Sequence, residues 1–261
     1  LDEDPDEPAG FPCALPCPIP IFSDSEYDGA FITLVITSLL SLLGSIFVVV
    51  TFLVFSKKRA YPGSLIVQFS VTSMMTSLGF FIGGAVGPRN IICHDDHTPA
   101  TFDDAACAIQ GIWITFWALA TAFWYLAICF NLYSAVVREK RDTAHYNKYF
   151  HSIIWPLVSV LTIVPTANQK FGNAKSGWCF INEDDNYFWQ FMFFYTWIGL
   201  NTVLGVYMIS HIIIKILRVM FKRSTSARLR AQRRPVAFAM LIVFIFFSLF
   251  AYRLNQTLEA E

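Results

Sequence analysis

The stretch CAIQGIWITFWALATAFWYLAICFNLYSAVV, residues Cys107–Val137, contains no charged side chain and runs directly into the basic cluster REKR at residues 138–141. At 1.5 Å per residue, a helix of about thirty residues is roughly 45 Å long, which exceeds the ~30 Å hydrocarbon core of a bilayer. We therefore predict a tilted or protruding transmembrane helix. Trp113, Trp117 and Trp124 recur at helical spacing, so three indoles share one face of it.

The composition of the whole chain is that of a polytopic membrane protein. Hydrophobic residues make up 55% of the sequence, charged residues only 15%, and there are 26 phenylalanines. A soluble domain of this length does not carry so many long uncharged apolar runs. We predict an all-α membrane helix bundle over residues 29–261, preceded by an acidic, proline-rich linker at residues 1–28. The predicted spans are approximately 30–55, 65–86, 107–137, 153–167, 188–217 and 236–252.

The charges are distributed unevenly between the two predicted faces. The segments placed inside hold fifteen bases and two acids, whereas the segments placed outside hold four bases and seventeen acids. Because basic residues concentrate in cytoplasmic loops, this asymmetry predicts an extracellular N-terminus. The sequence starts without Met or a leader, so we expect a mature or trimmed product. The sequon at Asn255 would then lie outside, where it can be glycosylated.

Five cysteines fall in the predicted outer segments, which face an oxidising compartment. Cys107, at the outer start of the third span, and Cys179, in the next outer loop, form the natural pair. Cys93 would then pair with Cys13 or Cys17 and hold the linker on the first outer loop. This arrangement leaves one of the five outer thiols unpaired.

Polar residues inside the spans and basic residues in the inner loops are the candidate functional groups. Gln68, Asn131 and Asn201 are polar side chains within spans, and such groups usually face a bundle interior. The inner basic residues can receive a heterotrimeric G protein or another cytoplasmic partner, or they can contact anionic lipid headgroups. The candidates for coupling are Arg138, Arg141, Arg228, Arg230, Arg233 and Arg234.

Catalysis is not indicated by any motif in the chain. The run CHDDH at residues 93–97 has metal-binding residue types, but no second ligand cluster accompanies it, so an acidic outer loop is the better interpretation. There is no acid dyad within the spans and no nucleophile motif. We expect no enzyme activity, no metal, no cofactor and no nucleic-acid partner. The predicted partners are the lipid bilayer, a cytoplasmic effector and a membrane or extracellular protein contacted by the linker.

Several motifs resemble those of Frizzled and Smoothened receptors. The segment KYFHSIIWP at residues 148–156 resembles the start of their fourth helix, and RAYP at residues 59–62 resembles their RYP element in the first inner loop. GWCFI at residues 177–181 is similar to the second outer loop, where a glycine–cysteine element carries the disulfide to helix three. PCPIPIF at residues 16–22 and the run at residues 123–133 are similar to amoebal and fungal Frizzled/Smoothened-like and cyclic-AMP-receptor-like proteins.

The resemblance implies a seven-helix receptor that transmits an extracellular signal to a cytoplasmic G protein by rearranging helices five and six. Residues 1–261 include neither the family's cysteine-rich domain nor its seventh helix with the following KTxxxW motif, so we expect a core truncated before helix seven. The family's switch pairs a base at the inner end of helix six, here Arg233 or Arg234, with a tryptophan in helix seven. The alternative is a non-signalling membrane subunit whose linker anchors an assembly. Either protein would reside in the plasma membrane or another membrane of the secretory pathway.

Overall fold

A computed structural model describes residues 17, 24–55, 61–87, 89–95, 98–140, 142–173, 178–182 and 187–222. The predicted sixth span, 236–252, and most of the predicted linker lie outside these residues. The described elements are α1 (Asp24–Val54), α2 (Gly63–Val86), α3 (Arg89–Ile92), β1 (Cys93–Asp95), β2 (Thr98–Pro99), α4 (Ala105–Val136), α5 (Tyr146–Ala167), β3 (Phe171–Asn173), β4 (Cys179–Ile181), α6 (Phe188–Gln190) and α7 (Thr196–Lys222). A π-helical turn, Phe191–Tyr195, joins α6 to α7 without a break.

Within the described part of the chain, five helices are long and apolar enough to cross a membrane. They are α1, α2, α4, α5 and the continuous helix from α6 to α7, which we number as the first to fifth spans. The prediction of an all-α polytopic membrane bundle is therefore confirmed. Consecutive spans run antiparallel. We call the end that carries Cys93, Cys107 and Cys179 the cysteine end, and the end that carries Arg138 and Lys215 the basic end.

Several helices extend beyond the apolar runs that predict them. The fourth span begins at Tyr146 rather than Ile153, and the fifth continues to Lys222 rather than ending at Leu217. The first begins at Asp24 instead of residue 30. Hydropathy marks only the part of a helix that lies in hydrocarbon, whereas long polar side chains let the same helix continue into the headgroup region.

The third span lies at the centre of the bundle. In its most apolar window 56% of the residues are buried, against 6% in the first span. Leu119, Ala120 and Trp124 of α4 form one buried cluster with Leu65 of α2 and Val158 of α5. A helix that is apolar on every side can contact neighbours all round, which is why α4 and not an amphipathic helix occupies this position.

Glycines of α2 allow the second and third spans to pack closely. A Cβ atom at Gly79 would lie 2.7 Å from the ring of Trp113, and one at Gly83 would lie 1.9 Å from Nε2 of Gln110. Small residues at such positions let helix backbones approach each other in a membrane, where van der Waals packing favours association. Gly87 follows the helix with φ 94°. Gly87 is therefore the residue at which α2 ends.

Two short hairpins cover the cysteine end. Strand β1 pairs with β2, and β3 pairs with β4, both antiparallel. The hairpins are joined because the backbone N–H of Asn173 donates to the carbonyl of Ala100 at 2.9 Å, and its Nδ2 donates to the carbonyl of Ile92 at 3.0 Å. These bonds satisfy buried backbone groups, so the loops form one layer over the helices.

Candidate functional site at the two ends of the third span

The ion pair Glu139–Lys215 connects the basic ends of the third and fifth spans. Lys215 Nζ lies 2.7 Å from Glu139 Oε1, and the two side chains are 36% and 74% exposed respectively. The hydrogen bond and the positive charge of Lys215 lower the pKa of the Glu139 carboxyl. Nothing in the local sequence indicates this pair, because the two residues are 76 positions apart.

Glu139 has a left-handed backbone conformation, with φ 54°. The turn that contains it is held by the N–H of Arg138, which donates to the carbonyl of Tyr133 at 3.3 Å, and by the N–H of Lys140, which donates to the carbonyl of Ser134 at 3.2 Å. Glycine is the usual residue at such a helix end, because a Cβ atom is unfavourable there. A glutamate in this position therefore retains a strained backbone.

Aromatic rings flank the ion pair. His211, one helical turn before Lys215, has its ring centroid 6.2 Å from that of Tyr133 and 4.6 Å from that of Tyr207. The guanidinium of Arg138 lies 5.6 Å from the Tyr133 ring centroid, within cation–π range. Arg138 is thus placed at the basic end beside the ion pair.

Tyr61 forms a second junction at the basic end. Its hydroxyl donates to Oδ1 of Asn131, a buried residue of α4. Burial raises the pKa of Tyr61, while a hydrogen bond with Thr143 opposes that shift. The phenol therefore connects the start of the second span, the third span and the loop before the fourth. Nothing in the local sequence around Tyr61 predicted this bond.

The other polar residues proposed for the interior differ in position. Asn201 of α7 is 3% exposed, and its Nδ2 donates to the carbonyl of Trp197 at 2.7 Å. Gln68 of α2 is half-buried. The remaining predicted site residues lie outside the described part of the chain: Cys13, Arg141, Arg228, Arg230, Arg233, Arg234 and Asn255.

Two disulfide bonds lie at the cysteine end, Cys17–Cys93 and Cys107–Cys179. The second ties the start of α4 to strand β4. Next to it, Gln110 Oε1 of α4 accepts the backbone N–H of Cys179 at 3.1 Å. The third span is therefore bound to the loop layer by one covalent bond and one buried hydrogen bond.

The acidic loop before α4 contains a contact between a histidine and a carboxylate. His94 Nδ1 lies 2.6 Å from Asp104 Oδ1. The hydrogen bonds from His94 and from the backbone N–H of Thr101 lower the pKa of the Asp104 carboxyl. Among the residues that the structure describes, no three His, Cys, Asp or Glu side chains are grouped so as to hold a metal ion.

The indole face of α4 packs against the fourth span. The Trp155 ring centroid lies 6.2 Å from that of Trp117 and 6.1 Å from that of Trp124. A groove of about 370 Å³ lies nearby between α4 and α5. Its rim residues Ile109 and Ile163 are 64% and 61% exposed, so the groove opens sideways toward lipid. Trp124 and Trp155 are therefore part of helix packing, and Trp117 also lines the lateral groove.

Comparison with known proteins agrees with this architecture. Residues 21–258 match the family described as "Frizzled/Smoothened family membrane region". The chain is 29% identical over 155 residues to latrophilin receptor-like protein A of Dictyostelium discoideum, and this match covers 59% of this chain and 45% of that protein. It is 27% identical over 177 residues to Frizzled-5 of Xenopus laevis, and this match covers 66% of this chain and 32% of that protein. It is 26% identical over 245 residues to Frizzled and smoothened-like protein K of D. discoideum, and this match covers 92% of this chain and 41% of that protein. The chain thus spans less than half the length of each of these relatives.

Proposed function

This chain belongs to the Frizzled/Smoothened family, and we propose that it transmits an extracellular signal through its third span to a heterotrimeric G protein or another cytoplasmic partner. It is a receptor-type integral membrane protein. The proposal places the cysteine end outside the cell and the basic end in the cytoplasm. That orientation rests on the charge asymmetry of the sequence and on the oxidising environment that disulfides require.

The observation that carries the proposal is the set of attachments at the two ends of α4. At the cysteine end, the helix is attached to strand β4 by the Cys107–Cys179 disulfide. At the basic end, it is attached to Lys215 of the fifth span and to Tyr61 before the second. A rigid helix with specific contacts at both ends can convert a shift of the outer loops into a shift at the inner surface.

The basic end also has the charge that an acidic partner surface would need. Arg138 and Lys140 follow α4, and Arg218 is exposed near the end of the described part of α7. Lys140 Nζ donates to the hydroxyl of Tyr146 at 2.8 Å, which holds this lysine next to the start of the fourth span. Complementary charge mainly accelerates association and selects partners.

Orientation is tested first, with an epitope tag on the N-terminus of the full chain in intact cells. The tag should bind antibody without permeabilisation. Treatment with an N-glycosidase should shift the mobility of the wild type but not of Asn255→Gln. A tag accessible only after permeabilisation would refute the orientation, and the coupling surface proposed at the basic end with it.

Coupling is tested with energy-transfer sensors for each class of G protein in cells that express the full chain. We expect one sensor to respond to the wild type and to respond several-fold less to Arg138→Ala. The matched control is Lys170→Ala, because Lys170 is a base at the cysteine end. If no sensor responds, and the chain instead co-purifies stoichiometrically with a membrane or extracellular protein held by its linker, the anchoring-subunit alternative replaces this proposal.

A further inference from the structure

The third and fifth spans contact each other through buried side chains in their middle and through an exposed ion pair at the basic end. In the middle, Tyr125 and Cys129 of α4 form a buried cluster with Ile209 of α7. Gly205 fits against the Tyr125 ring, since a Cβ atom there would lie 3.2 Å from it. This buried contact, which continues to Ile212, can act as a fulcrum for the last turns of α7 beyond it.

Toward the basic end, Ile212 of α7 is still buried, and the rings of Tyr133 and His211, both half-buried, contact each other. Beyond Ile212, the described contact between the two spans is the Glu139–Lys215 ion pair, whose side chains are exposed to water. Exposed ion pairs contribute little net stability, because water screens them and side-chain entropy opposes them. The closed arrangement can therefore be opened by a partner with a modest preference for the open one.

The left-handed backbone conformation of Glu139 indicates that its carboxylate has a function at this position. The turn requires a left-handed residue, and glycine would meet that requirement without strain. A glutamate there adds a single feature that glycine lacks, which is the carboxylate 2.7 Å from Lys215. The strained residue and the ion pair are separate observations that point to the same group.

We propose that Glu139 and Lys215 form a clasp that holds the basic end of the fifth span against the third, and that a cytoplasmic partner opens it by presenting an acidic side chain to Lys215. This inference rests on the proposed function, since it describes how the same surface is regulated. Closed, the clasp neutralises Lys215. Open, it exposes a cation on the last turns of α7 and removes the ion pair that holds them against the third span.

The first test measures the distance between the two spans without any signalling readout. Spin labels are placed at Ala135→Cys and Leu217→Cys, both exposed positions. The full chain carries Cys13→Ser and Cys129→Ala to remove other thiols and is reconstituted in lipid nanodiscs. We expect one short distance in the otherwise unaltered chain, and an added longer population in E139Q and in K215Q.

Three further samples identify the cause of any change. E139G keeps the turn, because glycine adopts this φ, and should open like E139Q. The charge reversal E139K with K215E should restore the short distance. K170Q, which removes a base at the cysteine end and outside the clasp, should leave the distance unchanged. Because salt screens exposed charges, the wild type at 1 M salt should resemble E139Q. An unchanged distance in E139Q, or a charge reversal that stays open, would overturn the clasp.

The second test uses the G-protein sensors in the same variants. E139Q should raise the basal response several-fold relative to the wild type. K215Q also opens the clasp but removes the cation that the partner contacts, so its response should stay below that of E139Q. K170Q, which removes a base at the cysteine end, should leave the basal response unchanged. If the distances change as expected but neither the wild type nor any variant produces a sensor response, the clasp stands and the proposed function fails. If the wild type signals but E139Q and K215Q have its distances and its basal response, the function stands and the clasp fails.

Discussion

Replacing Gly83 by alanine should loosen the attachment of the third span to the loop layer at the cysteine end. The new Cβ atom would lie 1.9 Å from Nε2 of Gln110, so this amide must move. Gln110 also accepts the backbone N–H of Cys179 at 3.1 Å, and Cys179 is fully buried. A substitution on α2 would thus break a hydrogen bond between α4 and β4.

The size of the effect follows from three contributions. Leaving a buried N–H without its partner costs about 1–3 kcal/mol. Crowding in a packed interface costs about 1–3 kcal/mol more, and it varies with how far the neighbours can adjust. Alanine in a helix regains roughly 0.5–1 kcal/mol relative to glycine. We therefore expect Gly83→Ala to lower the free energy of unfolding by about 1–5 kcal/mol, with a central value of about 3 kcal/mol that corresponds to a Tm lower by roughly 6–12 °C.

The assay is thermal unfolding of the full chain in nanodiscs, followed by tryptophan fluorescence. Gly44→Ala is the matched control, because it makes the same substitution in α1 where no other atom lies within 4 Å of the new Cβ. Its Tm should stay the same or rise slightly. In a Gln110→Ala background the penalty of Gly83→Ala should largely disappear, because the colliding amide and its hydrogen bond are already gone.

A Gly83→Ala protein as stable as the Gly44→Ala protein would refute this reasoning. It would mean that Gln110 moves aside without loss and that its bond to Cys179 contributes nothing. A penalty that persists in full without Gln110 would also contradict the argument, since the collision would then involve some other group.

Two further predictions concern the ends of the bundle. Tyr61→Phe leaves the buried Oδ1 of Asn131 without its donor, so it should lower the free energy of unfolding by about 1–3 kcal/mol. The control Tyr149→Phe, at an exposed position, should change it little. Equal Tm values for the two variants would show that the Tyr61–Asn131 hydrogen bond does not stabilise the bundle. The pKa of Asp104 is lowered from 3.8, so its contact with His94 adds stability that is present above about pH 4 and is lost as the pH falls through the lowered value. Tm measured against pH should therefore differ between wild type and Asp104→Asn near neutrality and converge in acid, and a constant difference down to pH 2 would show that ionisation of Asp104 is not the cause.

Local patterns in the sequence predicted the membrane class, the position of the five described spans and the family. A bilayer requires long uncharged stretches, and each stretch can be recognised without knowing its neighbours. The same rule predicted the helix ends less well. Tyr146 begins the fourth span before its apolar run, because polar side chains continue a helix through the headgroup region.

In the candidate site, too, the sequence could identify some residues but not the contacts between them. Asn131 could be selected from the sequence because it is a polar residue within an apolar run. Its bond with Tyr61 could not be foreseen, since it joins residues seventy positions apart. The sequence also left Cys13 and Cys17 as equal candidates for Cys93, and the structure contains the bond from Cys17.

The sequence by itself determined which segments lie in the membrane, because that choice depends on the transfer of each segment from water to hydrocarbon. Only the tertiary structure decided which side chains meet across helices, because those contacts depend on the rotation and lateral position of each span. The pair Glu139–Lys215 shows the difference: in the sequence both residues are ordinary charges at an interface, and only the parallel third and fifth spans bring them within 2.7 Å.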